Sequence, residues 1–311
     1  MSKAVQAREV AAAPPTSTRR TTTLQRRQAR LAWIMLLPTL AVVGLVAFWP
    51  LVQTVYQSFT DARFNSTTPT NFIGLRNYSD LLTDTVFRQA IWVTVKFTVI
   101  TVVFEFALGL GIAMVVNSNF KGRGLTRAIM LVPWAMITVV SAQMWKFMFN
   151  QTSGVINDML GRLHITSNQA WLAQPNTVLG SMCAVDIWKT TPFVALLLLA
   201  GLQVIPGDLY EAANVDGASK IQSFMRITLP LLRPAILVTL IFRTLDALRV
   251  FDLPFVLSSV GPQTQTMAVY NHQNLIPFGD FGYGTAVSVA VFLILAVFVV
   301  AYVTFLKVEQ T

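Results

Sequence analysis

Residues 33–56 read WIMLLPTLAVVGLVAFWPLVQTVY, twenty-four positions without an Asp, Glu, Lys, Arg or His. About 20 apolar residues wound as a helix cross the roughly 30 Å hydrocarbon layer of a bilayer. The run is longer than the apolar core of a signal peptide, about 7–15 residues, and the residues before it are too polar for one. It therefore reads as an anchor that stays in the membrane. The rest of the 311 residues agrees: 54% are hydrophobic, only 12% are charged, and mean hydropathy is +0.58. A soluble fold has about 25% charged residues to cover its surface, so a soluble domain is excluded. The net charge of +9 does not indicate nucleic acid, because residues 1–30 hold seven basic residues against Glu9 alone.

Spans of similar length recur. The sequence predicts an all-α, polytopic membrane protein with six transmembrane helices near 33–56, 89–116, 126–149, 178–203, 231–257 and 284–306. Residues 1–30, with Arg19, Arg20, Arg26, Arg27 and Arg30 before the first span, read as a disordered basic cytoplasmic tail. Residues 31–311 form the membrane domain. With the N-terminus inside, cytoplasmic segments hold fourteen Lys and Arg against five in the opposite loops. That asymmetry puts both termini in the cytoplasm. Pro38, Pro133 and Pro192 fall inside spans, where neighbouring helices must satisfy the carbonyls they free. Cys183 lies in an apolar block and reads as a small buried hydrophobe. With His164 and His272 in expected loops, no metal cluster is predicted.

The loop between the fourth and fifth spans, 204–230, carries the most information. It contains IPGDLYEAANVDGASK at 205–220. Asp208 followed by Glu211 has the spacing of a capping box and predicts a helix N-terminus at Asp208. Leu209, Ala212, Ala213 and Asp216 fall on one face. Gly217 is a natural terminator. Ser219 and Gln222 repeat the capping pattern and predict a second short helix ending near Leu229-Pro230. Small residues at the elbow suit close docking by another protein, although a connector joining two spans has the same physical pattern.

Glu211-Ala212-Ala213, Gly217, Ile227, Leu229 and Pro230 resemble the signature loop of bacterial ABC-importer permeases. Ile205-Pro206-Gly207-Asp208-Leu209 and Asp216-Gly217-Ala218 look like its carbohydrate-uptake subgroup, the maltose-, glycerol-phosphate- and trehalose-type permeases. The resemblance runs from the first span to the end. It implies that the loop seats on a cytosolic ATPase, with Glu211, Ala212, Ala213 and Gly217 as coupling residues. This chain has no glycine-rich phosphate-binding loop. No cofactor is therefore expected on it, with ATP and Mg on a partner ATPase.

The fifth span places Arg243, Asp246, Arg249 and Asp252 three residues apart. Each charge at a bilayer centre costs about 2.5–3.5 kcal/mol on insertion scales, so they must pair or face a wet interior. The 100° helical step leaves Asp246 and Arg249 as neighbours. They are read either as a local pair or as part of a polar sugar route. The resemblance places Asp246 and Arg249 where the family has sugar-contacting amides, and Phe242 and Leu245 at lining positions. Charges replace amides here, and one residue is missing before Pro234. In the fourth span, Ile187-Trp188-Lys189-Thr190-Thr191-Pro192-Phe193 is similar to a segment whose sugar-touching positions transfer to Lys189, Thr190 and Phe193. The alternative there is an Asp186–Lys189 pair with Phe193 facing lipid. Lys96 and Glu105 lie on opposite helix faces and are expected to pair with neighbouring helices.

The opposite loops carry Asn71 to Tyr78, similar to a family segment, and 258–283, a region that in the family touches a solute-binding protein. The resemblance thus implies a translocation subunit of a sugar importer, disaccharide being the expected class, in the bacterial inner membrane. It would not itself be an enzyme. Expected partners are a second homologous permease, two cytosolic ATPase subunits and an extracytoplasmic solute-binding protein, with no nucleic acid. An ion-gradient-driven transporter or channel and an intramembrane enzyme are the rival readings.

Overall fold

The computed structural model describes residues 23–64, 66–118, 120–165, 168–257 and 261–305. Residues 1–22 of the basic tail, and 258–260 of the last loop, lie outside the described residues. The chain divides at Gln53/Thr54 into two compact units. The first contains most of α1 (Arg27–Gln57), with helical backbone already present from Thr23. Within α1 the turn Gly44–Phe48 is π-helical and precedes Pro50 by two residues.

The second unit, from Thr54, holds α2 (Arg76–Thr83), α3 (Thr85–Asn117), α4 (Arg123–Ala135) and α5 (Thr138–Met148). These are followed by α6 (Val155–Arg162), α7 (Pro175–Val204), α8 (Asp208–Val215) and α9 (Lys220–Leu248). The unit closes with α10 (Asp252–Leu257), α11 (Met267–Leu275) and α12 (Phe281–Phe305). Five helices (α1, α3, α7, α9 and α12) are long and apolar enough to cross a membrane, and the bent pair α4–α5 makes a sixth.

Four expectations change. The third span is not one helix: α4 and α5 meet at 88° across Met136 and Ile137. The fifth span does not reach residue 257, because α9 ends at Leu248 and α10 restarts at Asp252. No short helix ends at Leu229-Pro230 either, since α9 is continuous from Lys220. The turn Phe224–Thr228 is π-helical, with the Leu229 amide bonded to the Phe224 carbonyl. A proline ring clashes with the carbonyl four residues before it, and a widened turn relieves that clash. His272 lies in α11 rather than a loop, its ring 5.1 Å from those of Phe251 and Phe255.

The centre of the second unit is α3 against α7, with α9 packed on both. Small residues permit this. A Cβ on Gly109 would lie 2.7 Å from Val194 Cγ1, and one on Gly201 would lie 2.4 Å from Ala235 Cβ. Lipid tails are as apolar as leucine, so close backbone approach rather than water exclusion holds membrane helices together. Cys183 is buried in this core beside Phe97, Met182 and Val185, as its apolar surroundings in sequence predict.

Candidate translocation cleft and coupling loop

One guanidinium organises the middle of the bundle. The Arg243 side chain is 3% exposed and extends from α9 toward α3 and α7. Its Nε donates to Glu105 Oε2, and its Nη2 donates to Glu105 Oε1 at 2.9 Å and to Asp186 Oδ2. Its Nη1 donates to Asp246 Oδ2 at 2.9 Å. Three carboxylates on three helices thus share one cation. Uncompensated charge at this depth is costly, and charge-assisted bonds satisfying each partner are what make the arrangement tolerable.

Asp186 therefore pairs with Arg243 and not with Lys189. The Lys189 ammonium instead donates to the carbonyls of Trp134 (3.3 Å) and Met136 (2.8 Å), which the break between α4 and α5 frees. A lysine is well suited to a helix C-terminus, where unsatisfied carbonyls concentrate negative charge. Pro133 itself stands in the first turn of the helical segment Val132–Ala135, where a missing N–H is tolerated. Phe193 stacks on Trp134 with ring centroids 5.2 Å apart and planes 10° from parallel, so it does not simply face lipid. The Thr190 hydroxyl lies within bonding distance of both Glu105 Oε1 and the Asp186 carbonyl (2.5 Å) and donates to one at a time. Glu105 pairs with a neighbouring helix as expected; Lys96 instead lies 5.1 Å over the ring of Trp92 on its own helix.

These groups border a cleft of about 310 Å³ that includes Trp134, Lys189, Thr190, Asp246, Arg249 and Asp252 in its lining. Four of the seven sequence-predicted substrate residues, Lys189, Thr190, Asp246 and Arg249, therefore come together there. Phe193, Phe242 and Leu245 are not in the lining. Phe242 lies on an exposed stripe of α9 with Leu231, Pro234, Val238, Asp246 and Arg249, while Leu245 is half-buried beside it. The expected Asp246–Arg249 pair is absent. Asp246 bonds back to Arg243, and Arg249, beyond the end of α9, donates its Nε to the Leu245 carbonyl at 3.2 Å. Arg249 forms no ion pair among the described residues. Trp134 and Asp252 were not singled out as cleft residues in the sequence; the only signal for Trp134 was its place beside Pro133.

The loop 205–219 projects α8 from the membrane helices. Gly207 rather than Asp208 is the N-cap, without a side-chain cap, so Asp208 and Glu211 act only as first-turn acids that favour the helix dipole. Gly217 has φ +76° and closes α8 as a Schellman turn. Ala218 N bonds Ala213 O at 2.9 Å, and Gly217 N bonds Asn214 O at 3.1 Å. Ser219 and Gln222 form the predicted capping box at the start of α9. Glu211, Ala212 and Gly217 are exposed and Ala213 is half-buried. Tyr210 Oη and Thr228 Oγ1, 2.9 Å apart, tie α8 to α9.

Residues 106–308 match the family of binding-protein-dependent transport system inner membrane components. The chain belongs to this family. The permease is thus a multi-pass inner-membrane translocation component, not an enzyme, and it works with a binding protein. It is 44% identical over 287 residues to the trehalose/maltose transport system permease protein MalF of Thermococcus litoralis, covering 91% of this chain and 95% of that one. It is 42% identical to the sulfoquinovosyl glycerol transport system permease protein SmoG of Agrobacterium fabrum, over 84% of this chain and 85% of that one. The trehalose transport system permease protein SugA of Mycobacterium tuberculosis is 36% identical, over 87% of this chain and 86% of that one. Among solved structures, a bacterial ABC transporter involved in the import of the acidic polysaccharide alginate matches the fold with TM-score 0.81 and 24% identity, over 93% of this chain and all of that one.

A second cavity of the permease, about 830 Å³, lies between loop 60–88 and α11 and is lined by Asp61, Arg76, Asp84, Gln273, Asp280 and Tyr283 among others. Asp84 caps α3, accepting from Val86 N (2.7 Å) and Phe87 N (3.2 Å), and also accepts from Tyr283 (2.9 Å) and Tyr270. Burial opposes its charge, but the hydrogen bonds from both tyrosines and both amides outweigh that and hold its carboxyl below the usual range. Burial, together with the bond to Asp84, pushes the Tyr270 phenol up to about 12. Among the described residues no group of His, Cys, Asp or Glu has metal-binding geometry.

Proposed function

We propose that this permease carries a small neutral sugar of disaccharide class through the membrane as one half of an ATP-driven importer. The observation that carries the reading is the cleft at residues 186–190 and 243–252. It is polar, sits beside the long apolar helices α7 and α9, and brings Lys189, Arg243 and Arg249 together with Asp186, Asp246 and Asp252. A hydroxyl-rich solute needs donors and acceptors together, with an aromatic face alongside, and Trp134 offers the latter. The names of two relatives, the trehalose/maltose and trehalose permeases, support a disaccharide, and that of the sulfoquinovosyl glycerol permease supports a sugar derivative more broadly.

In this reading Lys189, Thr190, Asp246 and Arg249 face the sugar in the cleft, while Phe193, Phe242 and Leu245 serve the route from outside its lining. Lys189 and Phe193 contribute mainly by fixing Trp134. The exposed stripe of α9 argues for a second, homologous permease as the opposite wall, because Asp246 and Arg249 against lipid would be expensive. Two cytosolic ATPase subunits hold ATP and Mg, and this chain holds neither. Their closure is received at Glu211, Ala212, Ala213 and Gly217 and passed along α9 to the cleft. Both termini lie in the cytoplasm, which leaves the 830 Å³ cavity facing the extracytoplasmic binding protein.

The test is uptake of labelled trehalose or maltose by proteoliposomes holding the full complex and its loaded binding protein. ATP-dependent uptake that collapses in Glu211→Ala is expected. Uptake that proceeds without ATP, or is indifferent to Glu211, overturns the mechanism.

A further inference from the structure

The arrangement around Arg243 exceeds what a structural ion pair requires. Glu105 accepts from both its Nε and Nη2, and Asp186 accepts from Nη2, so these two buried carboxylates already compensate the guanidinium's charge and fix its direction. They are 0% and 7% exposed, on α3 and α7. The remaining nitrogen, Nη1, points the other way and donates to Asp246, whose side chain is 69% exposed in the cleft. An ion pair with one partner in open surroundings adds little to stability. What it does fix is direction, because a lone aspartate near the end of a helix would sample several staggered rotamers.

We infer that Arg243 is a positioning residue for the translocation cleft: gripped from behind by Glu105 and Asp186, it orients Asp246 so that the carboxylate oxygen left over, Oδ1, serves as a hydroxyl acceptor for the sugar. This rests on the sugar-transport reading above. Asp246 Oδ2 is occupied by Nη1 and Oδ1 has no partner among the described residues. Arg249 offers donors from the same cleft just past the end of α9, so one sugar can be met by an acceptor and a donor three residues apart. Arginine rather than lysine is needed at 243, because only a planar fork serves three carboxylates in fixed directions.

The experiment is a double-mutant cycle on the full complex in proteoliposomes, with Arg243→Lys, Asp246→Asn and the pair. Uptake of labelled trehalose is compared with that of its mono-deoxy analogues, and the thermal midpoint of each variant is measured in detergent. Each single substitution is expected to lower trehalose uptake roughly ten- to hundred-fold, the worth of a hydrogen bond to a charged group. Each should also erase the same preference for the fully hydroxylated sugar, and the pair should lose no more than the worse single. If the two losses multiply, or Arg243→Lys lowers the midpoint while keeping the hydroxyl preference, Arg243 is merely structural and the inference fails. Should Arg243→Lys not assemble, Glu105→Gln loosens the grip from the buried side, and the same loss of preference is required of it. A wild-type complex that takes up neither trehalose nor maltose overturns the sugar reading itself, an outcome distinct from multiplying losses.

Discussion

Replacing Gly201 by alanine sets a methyl group into the crossing of α7 and α9, three residues before α7 ends. Its Cβ would stand 2.4 Å from Ala235 Cβ and 2.8 Å from Leu232 Cδ1. Carbon atoms settle about 3.5–4.0 Å apart, so the helices must separate by about 1 Å or more. The Ala235 methyl cannot rotate away, whereas the Leu232 methyl can, at about 0.5–1.5 kcal/mol. Overpacking of this kind costs about 1–3 kcal/mol, and alanine's better helix propensity returns about 1 kcal/mol of it. The net loss for Gly201→Ala is then up to about 2 kcal/mol, as much as thirtyfold in the folded-to-unfolded ratio. Ala235→Gly alone should lose about 1 kcal/mol by propensity. In the double variant the propensities cancel and the methyl clash disappears, so its stability should return close to wild type. Thermal unfolding of the detergent-solubilised complex, followed by tryptophan fluorescence, reads all four corners. If the double variant is as unstable as the two losses added, the close crossing at Gly201 is wrong.

Three further outcomes are expected. Arg243→Met leaves Glu105 and Asp186 buried without their cation and should destabilise by about 3–5 kcal/mol; adding Glu105→Leu should recover part of the lost thermal midpoint, and no recovery would mean that Glu105 is not its partner. Gly217→Val forces a β-branched residue to φ +76° and should cost about 1–2 kcal/mol, read as faster proteolysis of the loop 205–219 with the membrane helices still protected. Asp84 has a folded-state carboxyl held below its unfolded value, so its contribution is present above about pH 4 and is lost as pH falls through the folded value. The midpoint gap between wild type and Asp84→Asn should therefore be seen at pH 7 and close on acidification below about pH 4, and a gap that widens there contradicts the sign.

The spans were legible because apolar length is a one-dimensional property. Residues 89–116 and 178–203 were expected, and α3 and α7 cover them, starting a few residues earlier and ending one residue later. The break at Met136–Ile137 was not legible. Pro133 announces an interruption, but an 88° bend frees the carbonyls of Trp134 and Met136, and the group that satisfies them, Lys189, is fifty-three residues away from Met136. The charges of the fifth span show the same limit. Helical spacing makes Asp246 equidistant from Arg243 and Arg249 along the chain. The choice is made by where α9 ends and by Glu105 and Asp186, which turn the guanidinium inward. At Asp208 the local pattern of a capping box was present, yet Gly207 took the cap, while the same pattern at Ser219 formed in full.

The π-helical turn at Phe224–Thr228 sets a phase as well as accommodating Pro230. Each residue of an ordinary helix adds about 100° of rotation, and a π-turn holds one residue more than the α-helical turn it replaces. The extra residue is absorbed within that turn, so the stripe downstream at Phe242 and Asp246 keeps the phase that an unbroken α-helix one residue shorter would give it. A single deletion between 224 and 228 would restore a regular α-helical turn and leave the cleft face and the loop face close to their present phase, whereas the same deletion elsewhere in α9 would turn them by about 100°. Residue count should therefore be held tightly along the regular part of α9, and the turn at 224–228 is the place where the loss of one residue is absorbed with least rotation.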